Sequence, residues 1–564
     1  MRLLSAKKHV IILSAIFLLA LAVRLVGVQY GLPQEYVGDE YVQVAVALKM
    51  LDTRSLTPNF PTIFYHQPLS AYISTAGIAT YLGSQMLTGR FADLAAMRDY
   101  YAVHASDLLI VIRSLAALLG AFSVFFIYAA GRDLWSKKVG YLAALFFALE
   151  SVAVYVGHSG RVWGYMVFFI SLSLSASVKL FQNPTAKNYA RLTWTTILAA
   201  ANALPGIFTL APTLLTQSWR HNKNLGKSLL IIILGVILIV LMSPRGLGAL
   251  IFRFQSLSGG NLTQLVSGNP ITYEVAPVPL VKRFSDPLKT LLTYSPGITL
   301  LAFLGIIILW RKERKTALML LTFPVAYYLF IGPFFTFGWV VRTLIVFSPY
   351  LSLFAAYAIF RLAKSTSRYG KLFAGSLAVL GLLPGIVFAY LIDVKLSLAD
   401  TRTEAIEWVY QNLPEHSKII AFSLTNDVIN QDRDVLKVMQ NFVPQKLNSR
   451  QRTLLSAQDG KFPRPYYFAW DARDSGVDAL PKNFFKDQGF TYYLRTDWGG
   501  RPQSFYDEAV ERVFKTKELI VTFDPYSKLP TGEFGSLHNM INPWDALFKA
   551  TRFGPRVEIY RVEY

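Results

Sequence analysis

The stretch Tyr30–Lys49, YGLPQEYVGDEYVQVAVALK, decides how the rest of the chain is read. It follows directly on an apolar run and sets Asp39 and Glu40 side by side next to hydrocarbon. Carboxylates at a membrane boundary are costly unless they are solvated, paired or used. One reading makes them a helix start, with Gly38 or Asp39 capping YVQVAVALKML and Glu40 at its positive end. The other makes them an acid pair at the mouth of a membrane cavity, where a carboxylate takes the proton of an acceptor hydroxyl or amine. Gly31, Pro33 and Gly38 fix the approach of the chain. The cost of membrane-level charge favours the second reading.

The surrounding composition is that of a membrane. Of 564 residues, 53% are hydrophobic and only 16% charged, well under the roughly 25% of soluble domains. The net charge of +21 does not point to nucleic acid. Lys and Arg sit in short loops between apolar runs, and no basic stripe interleaves with aromatics. Cysteine is absent, which excludes disulfides, thiolate catalysis and Cys-ligated metals.

Runs long enough to span fall near 9–29, 106–130, 139–157, 162–180, 225–243, 294–310, 316–333, 342–360 and 372–391. Two weaker segments between 191 and 218 meet at Pro205-Gly206, which gives about eleven spans. Ala20-Leu21-Ala22 imitates a signal cleavage site, but apolar sequence resumes past Arg24 and the acidic stretch needs an anchor. An uncleaved first span is therefore expected.

With the N-terminus inside, the inner loops carry Arg132, Lys137, Lys138, Lys187, Arg191, Arg220, Lys223 and Lys227, and later Arg311–Lys315 and Arg361–Lys371. The short outer turns offer only Arg161 and Arg342. This one-sided bias sets the orientation and places the C-terminal region outside. The expected fold class is an α-helical multispanning membrane protein with a soluble α/β domain at its C-terminus. The boundaries are 1–394 for the membrane domain and 395–564 for the extracytoplasmic one. Outer loops 30–105 and 244–294 roof the site, since loops of that length are usually functional.

The C-terminal domain opens with a helix from Thr403 to about Leu413, followed by a strand at Ile419–Leu424. Further strands are expected in YYFAW, TYYLR, ELIVTF and RVEIYRV. The domain lacks a G-x-G-x-x-G after a strand and a P-loop, so no nucleotide site is legible.

Several further residues could carry chemistry. Glu150, in FFALESVAVYVGHSGR, lies toward the outer end of the third span, where a wet interfacial carboxylate is the plain alternative. His158 and Arg161 follow at a three-residue spacing, on one face if the chain is helical there. Both can bind phosphate or merely anchor the interface. Arg113 lies inside the second span and either snorkels outward or serves the structure. Arg342, at the start of a span, suits a lipid-linked phosphate through its planar fork of donors. Lys282 and Arg283 offer the same from the long loop that also holds Tyr273, Glu274 and Asp286. His66 in YHQPLSAYI is a ligand, an orienting group or simply packed. Asp39, Glu40, Glu150, His66 and His158 have the chemistry to hold Mg²⁺, Mn²⁺ or Zn²⁺, but no spacing among them is diagnostic. The metal question stays open.

Taken together these residues resemble the GT-C superfamily of integral-membrane glycosyltransferases, and most nearly the protein O-mannosyltransferases and lipid A aminoarabinose transferases. The resemblance rests on RLVGVQYGLPQEYVGDEYVQVAVALKML, on YHQPLSAYI and on VIRSLAALLGAFSVFFIYAAGRDLWSKKVGYLAALFFAL. It continues in GWVVRTLIVFSPYLSLFAA, LADTRTEAIEWVYQNLPEHSKII and GPRVEIYR. The resemblance implies inverting transfer of a sugar from a polyprenyl-phosphate donor to a protein, lipid or glycan acceptor on the non-cytoplasmic face. It makes Asp39 the general base with Glu40 as partner or alternative, and gives the donor phosphate to Arg342. Its partners would be membrane lipids and the lipid-linked donor, with no cofactor beyond that donor except a divalent ion if one is used. Relatives often carry an Asp shortly after the His-Ser element, where this chain has SGRVWGY. That departure removes the acidic contribution of the second outer loop or passes it to Glu150. The rival class is a transporter or lipid-linked sugar flippase, which internal repeats and midplane polar groups would favour. Neither is legible here.

Overall fold

In a computed structural model, most of the apolar runs fold as helices, and a small sheet follows them. The structure describes the chain apart from residues 1, 57–67, 221–223, 243–259, 267–268, 276–278, 332–340 and 365–367. In the C-terminal third, residues 422–432, 443–446, 448–454, 456–467, 472–480, 482, 499–510, 527–539 and 541–542 also lie outside the described residues.

In order, the helices of the first two hundred residues are α1 (Arg2–Leu25), α2 (Glu40–Thr53), α3 (Pro68–Leu87), α4 (Leu94–Val103), α5 (Leu109–Leu134), α6 (Lys137–Ala148), α7 (Ser151–Gly157), α8 (Val162–Gln182) and α9 (Ala186–Asn202). They continue with α10 (Ala211–Arg220), α11 (Asn224–Met242), α12 (Leu280–Tyr294), α13 (Pro296–Lys312) and α14 (Arg314–Ile331). The last of this set are α15 (Val341–Leu344), α16 (Ser348–Ala363) and α17 (Arg368–Leu396). A hairpin of β1 (Gly260–Val266) and β2 (Asn269–Val275) precedes α12.

Five helices among the described residues are long and apolar enough to cross a membrane. They are Lys7–Leu25, Ala105–Leu134, Val162–Gln182, Val341–Ala363 and a stretch beginning at Arg368. Two bent pairs are long and apolar enough when taken together, α6 with α7 at 54° and α12 with α13 at 117°, each a broken span or a re-entrant turn. The third run, read from sequence as continuous over 139–157, is therefore split. The loop 30–105 contains a 20-residue helix, α3, followed by α4. Loop 244–294 likewise holds the hairpin and α12.

Two compact units emerge. The first comprises Met1–Val28, Val42–Ile78 and Val111–Asp393, and the second comprises Gln29–Tyr41, Ala79–Ile110 and Val394–Tyr564. Within the first, α16 packs between α13 and α6, with α8, α9 and α11 stacked in sequence. Small residues permit the closest approaches, as they do where lipid removes the hydrophobic drive between helices. A Cβ on Gly305 of α13 would lie 2.0 Å from the Phe354 carbonyl oxygen of α16. Nearly every side chain of α16 from Ser348 to Ile359 is buried, whereas α1 keeps much of its apolar surface exposed.

The second unit holds α18 (Thr401–Asn412), β3 (Lys418–Ala421), α19 (Arg433–Phe442), β4 (Phe468–Asp471), α20 (Phe484–Asp487), β5 (Tyr492–Asp497), β6 (Thr516–Phe523), α21 (Pro543–Lys549) and β7 (Arg556–Glu563). The sheet runs β4-β3-β5-β7-β6, parallel across its first three strands and antiparallel across the rest. Because side chains alternate along a strand, neighbours part to opposite faces. Ile420, Tyr493 and Tyr560 join α19 and α20 on one side. Ile419, Leu494 and Ile559 join Ala405, Ile406 and Val409 of α18 on the other. The expected α/β arrangement is thus a three-layer sheet domain.

The Gly305 contact yields a direct test. Gly305→Leu is expected to cost about 1–3 kcal/mol or more by overpacking and to lower the thermal midpoint of the solubilised protein. Gly226→Leu, whose Cβ would meet nothing within 4 Å, should leave that midpoint within a degree or two of wild type, about the effect of a neutral surface change.

Candidate functional site

The acidic segment is built by left-handed backbone. Gly27, Gly31, Glu35 and Asp39 all take positive φ, of 72°, 71°, 60° and 69°. Gly31 is needed for space as well, since its Cβ would come 2.9 Å from the Tyr36 side chain. An ordinary N-cap residue is extended, so Asp39 does not sit as one, although α2 begins at the next residue. Left-handed non-glycine residues cost of order 1–3 kcal/mol and cluster at functional sites. Asp is among the residues that tolerate the conformation best. Glu40 is fully buried in the first turn of α2, where the helix dipole favours negative charge. Asp39 is exposed.

The helical unit carries the other candidates, and most of them gather there. Helices α7, α12 and α15 pack against one another, and α7 also packs on α8. That brings together the elements bearing Glu150, His158, Arg161, Lys282, Arg283 and Arg342. Arg161 and Arg283 are buried, Arg342 is half-buried and Lys282 is exposed. His66 lies outside the described residues.

Glu150 is not a wet interfacial carboxylate. It is fully buried at the break between α6 and α7, where it caps α7. One carboxylate oxygen accepts from the Val152 amide at 3.2 Å and from the Ser295 hydroxyl. The other accepts from the Ala153 amide at 2.8 Å and the Ser348 hydroxyl at 2.5 Å. Ser295 is the bend between α12 and α13, and Ser348 opens α16. One side chain therefore ties three helix ends together.

The same break exposes the last carbonyls of α6, which have no partner within their helix. Arg24 of α1 supplies donors, to Ala148 at 3.1 Å and Phe147 at 3.3 Å, and to Ala20 in its own helix at 2.7 Å. Glu150 and Asp393 provide the compensating negative charge. Gly157 leaves room for this, since a Cβ there would lie 2.8 Å from the Arg24 side chain. Sequence reading used Arg24 only to extend the first span, and it missed Ser295, Ser348 and Asp393. The available signal was the single charge that Arg24 and Glu150 each place in an apolar run; the serines offered none.

His158 and Arg161 do not share a helix face. His158 ends α7 and Arg161 precedes α8, with Gly160 pressed against Ile112. The His158 ring is committed on both nitrogens. Nδ1 donates to the Val154 carbonyl at 2.8 Å, and Nε2 pairs with Asp393 at 3.1 Å. This geometry makes His158 a tie between α7 and α17 and leaves it no nitrogen for a phosphate. Arg113 does not snorkel, because it is buried and donates to the Val28 carbonyl at 2.8 Å. Among the described residues, no group of three or more His, Asp or Glu side chains is placed to hold a metal ion.

Arg24 and Glu150 give a paired prediction. Removing a buried side chain that satisfies several polar groups costs about 1–3 kcal/mol for each group left without a partner. Arg24→Met and Glu150→Gln should each lower the thermal midpoint sharply, and the double variant should lose less than the sum. Additive losses would show that the two residues act independently.

No protein-family profile matches the chain, and no curated protein matches it. Solved structures do. ArnT from Cupriavidus metallidurans in the apo state is 12% identical over 99% of this chain and 98% of its own, with a TM-score of 0.50. The same protein bound to undecaprenyl phosphate gives 13% identity, 98% coverage of both chains and a TM-score of 0.47. The oligosaccharyltransferase of Archaeoglobus fulgidus, in its apo form, is 12% identical over 86% of this chain and 69% of its own, with a TM-score of 0.49. At such identity the likeness concerns architecture, and over 99% of its length the chain is similar in fold to ArnT.

Proposed function

We propose that the chain is an inverting glycosyltransferase that moves a sugar from a polyprenyl-phosphate donor to an acceptor hydroxyl or amine. The observation that carries the reading is the left-handed Asp39 beside the buried Glu40. The similarity of fold to ArnT over 99% of the chain supports it, and so does the resemblance of the acidic segment and later stretches to membrane glycosyltransferases. In this reading Asp39 takes the acceptor proton as the acceptor atom attacks the anomeric carbon. The bond from that carbon to the phosphate oxygen breaks on the opposite side, and polyprenyl phosphate leaves with the electron pair. The family resemblance gives the charge building on that phosphate to Arg342. Glu40 stands by Asp39 as partner or second acid.

The short-loop bias of Lys and Arg supports an active site on the non-cytoplasmic face. The donor tail remains in lipid while its phosphate lies at the surface, and no nucleotide is consumed.

The test follows release of free polyprenyl phosphate from lipid-linked sugars by the purified protein. Asp39→Asn is expected to reduce turnover roughly 10²- to 10⁴-fold, the usual range for a lost general base, with donor binding retained. Glu40→Gln is expected to lose less. Full activity in both variants would overturn the assignment of the base. A wild-type protein that binds no lipid-linked sugar would overturn the reading as a whole and favour transport.

A further inference from the structure

Within the second unit, the acidic segment and the start of the sheet domain share one buried polar cluster. Asp400 caps α18, accepting from the Arg402 amide at 2.9 Å, and it takes Nε and Nη2 of Arg402 at 2.8 and 2.9 Å. The Tyr30 hydroxyl donates to the same carboxylate at 2.5 Å. The Arg402 guanidinium then lies 3.7 Å over the Tyr36 ring and 5.2 Å from that of Trp498. Tyr36 closes the set with a 3.1 Å hydrogen bond between its hydroxyl and that of Thr403. Asp400, Arg402, Tyr30 and Tyr36 are all buried.

The cluster is anchored on rigid structure. Helix α18 packs on β6 and β7 through Ala405, Ile406 and Val409. The Thr401 amide and hydroxyl bond to the Phe553 and Pro555 carbonyls at 3.1 and 2.5 Å. Between them, Gly554 takes φ of 118°, and a Cβ there would meet Thr401 and Asp400 at 2.0 and 2.5 Å. The polar groups are thus fixed from the sheet side. A desolvated guanidinium over an aromatic face adds attraction along one defined direction.

We propose that the Asp400–Arg402 pair is the positioning device for the acidic segment, gripping Tyr30 and Tyr36 so that Asp39 keeps its left-handed conformation. This gives the C-terminal domain a role in the reaction, and Arg402 acts through Tyr36 as a positioning residue. The geometry suits that task. Tyr36 is three residues before Asp39, and the two tyrosines clamp both ends of the turn formed by Gly31 to Glu35. Asp is compatible with several backbone regions, so the surrounding fold must select the left-handed one. The proposal rests on the reading of Asp39 as base.

Hydrogen exchange and donor turnover test it together, on the full-length protein. Arg402→Met and Tyr36→Leu should speed amide exchange across residues 29–41 and lower kcat on the order of 10²-fold, as misplacement of a reacting group does, with donor KM unchanged. Tyr36→Phe keeps the ring under the guanidinium and should stay within about ten-fold of wild type, the scale of one net hydrogen bond. The double variant Arg402→Met with Tyr36→Leu should be no worse than the poorer single, because both remove one device. Unchanged exchange over 29–41 overturns the clamp, whatever the turnover. Faster exchange with unchanged kcat overturns its role in positioning. Should Arg402→Met fail to fold, the contrast between Tyr36→Leu and Tyr36→Phe decides alone. Failure of the base assignment is separate, since Asp39→Asn would then keep its activity while exchange still reports on the grip.

Discussion

A guanidinium inside an apolar helix must be given carbonyls and countercharge, and much of the membrane architecture follows from how Arg24 obtains them. The carbonyls come from the end of α6, which is available only because the third span breaks there. The break in turn needs its following amides satisfied, and Glu150 does that while balancing the arginine. In hydrocarbon, irregular backbone survives only where protein buries and pairs it. Glu150 extends the solution to two other discontinuities, the 117° bend at Ser295 and the start of α16 at Ser348. Two glycines make the approach possible, Gly157 against Arg24 and Gly385, whose Cβ would lie 2.1 Å from the Leu149 carbonyl oxygen.

What sequence shows well here is whatever repeats locally. Apolar runs fixed the helices, and the doublets Ile419-Ile420, Tyr493-Leu494 and Ile559-Tyr560 sort to the two faces of one sheet as strand alternation requires. Helix α18 starts two residues before the expected Thr403, at the cap that Asp400 provides. Helix α3 escaped notice because Ser74, Gly77, Thr80 and Gly83 interrupt its apolar face. The glycine-rich loop before α12 hid a hairpin because its strands carry few paired hydrophobic positions.

The polar partnerships were illegible for a different reason. Glu150 finds Ser295 and Ser348 across 145 and 198 residues, and His158 finds Asp393 across 235. No local pattern encodes such pairs, so each residue looked available for chemistry. The left-handed conformation of Asp39 was equally hidden, since Asp is compatible with several backbone regions and only the surrounding fold selects among them. Its neighbours were recognisable as a motif, but the strain was not.

These partnerships narrow the chemistry. A carboxylate offers about four lone-pair positions, and the Glu150 oxygens already receive two amide and two hydroxyl hydrogens. To accept the proton of an attacking nucleophile, Glu150 would have to release a donor that holds α7, α13 or α16 in place. A group in that position is paid for by structure and serves structure. The departure at SGRVWGY therefore does not hand the missing acid to Glu150. In the proposed reading the base therefore remains at Asp39, in the segment where strain has been kept rather than relieved, with Glu40 beside it.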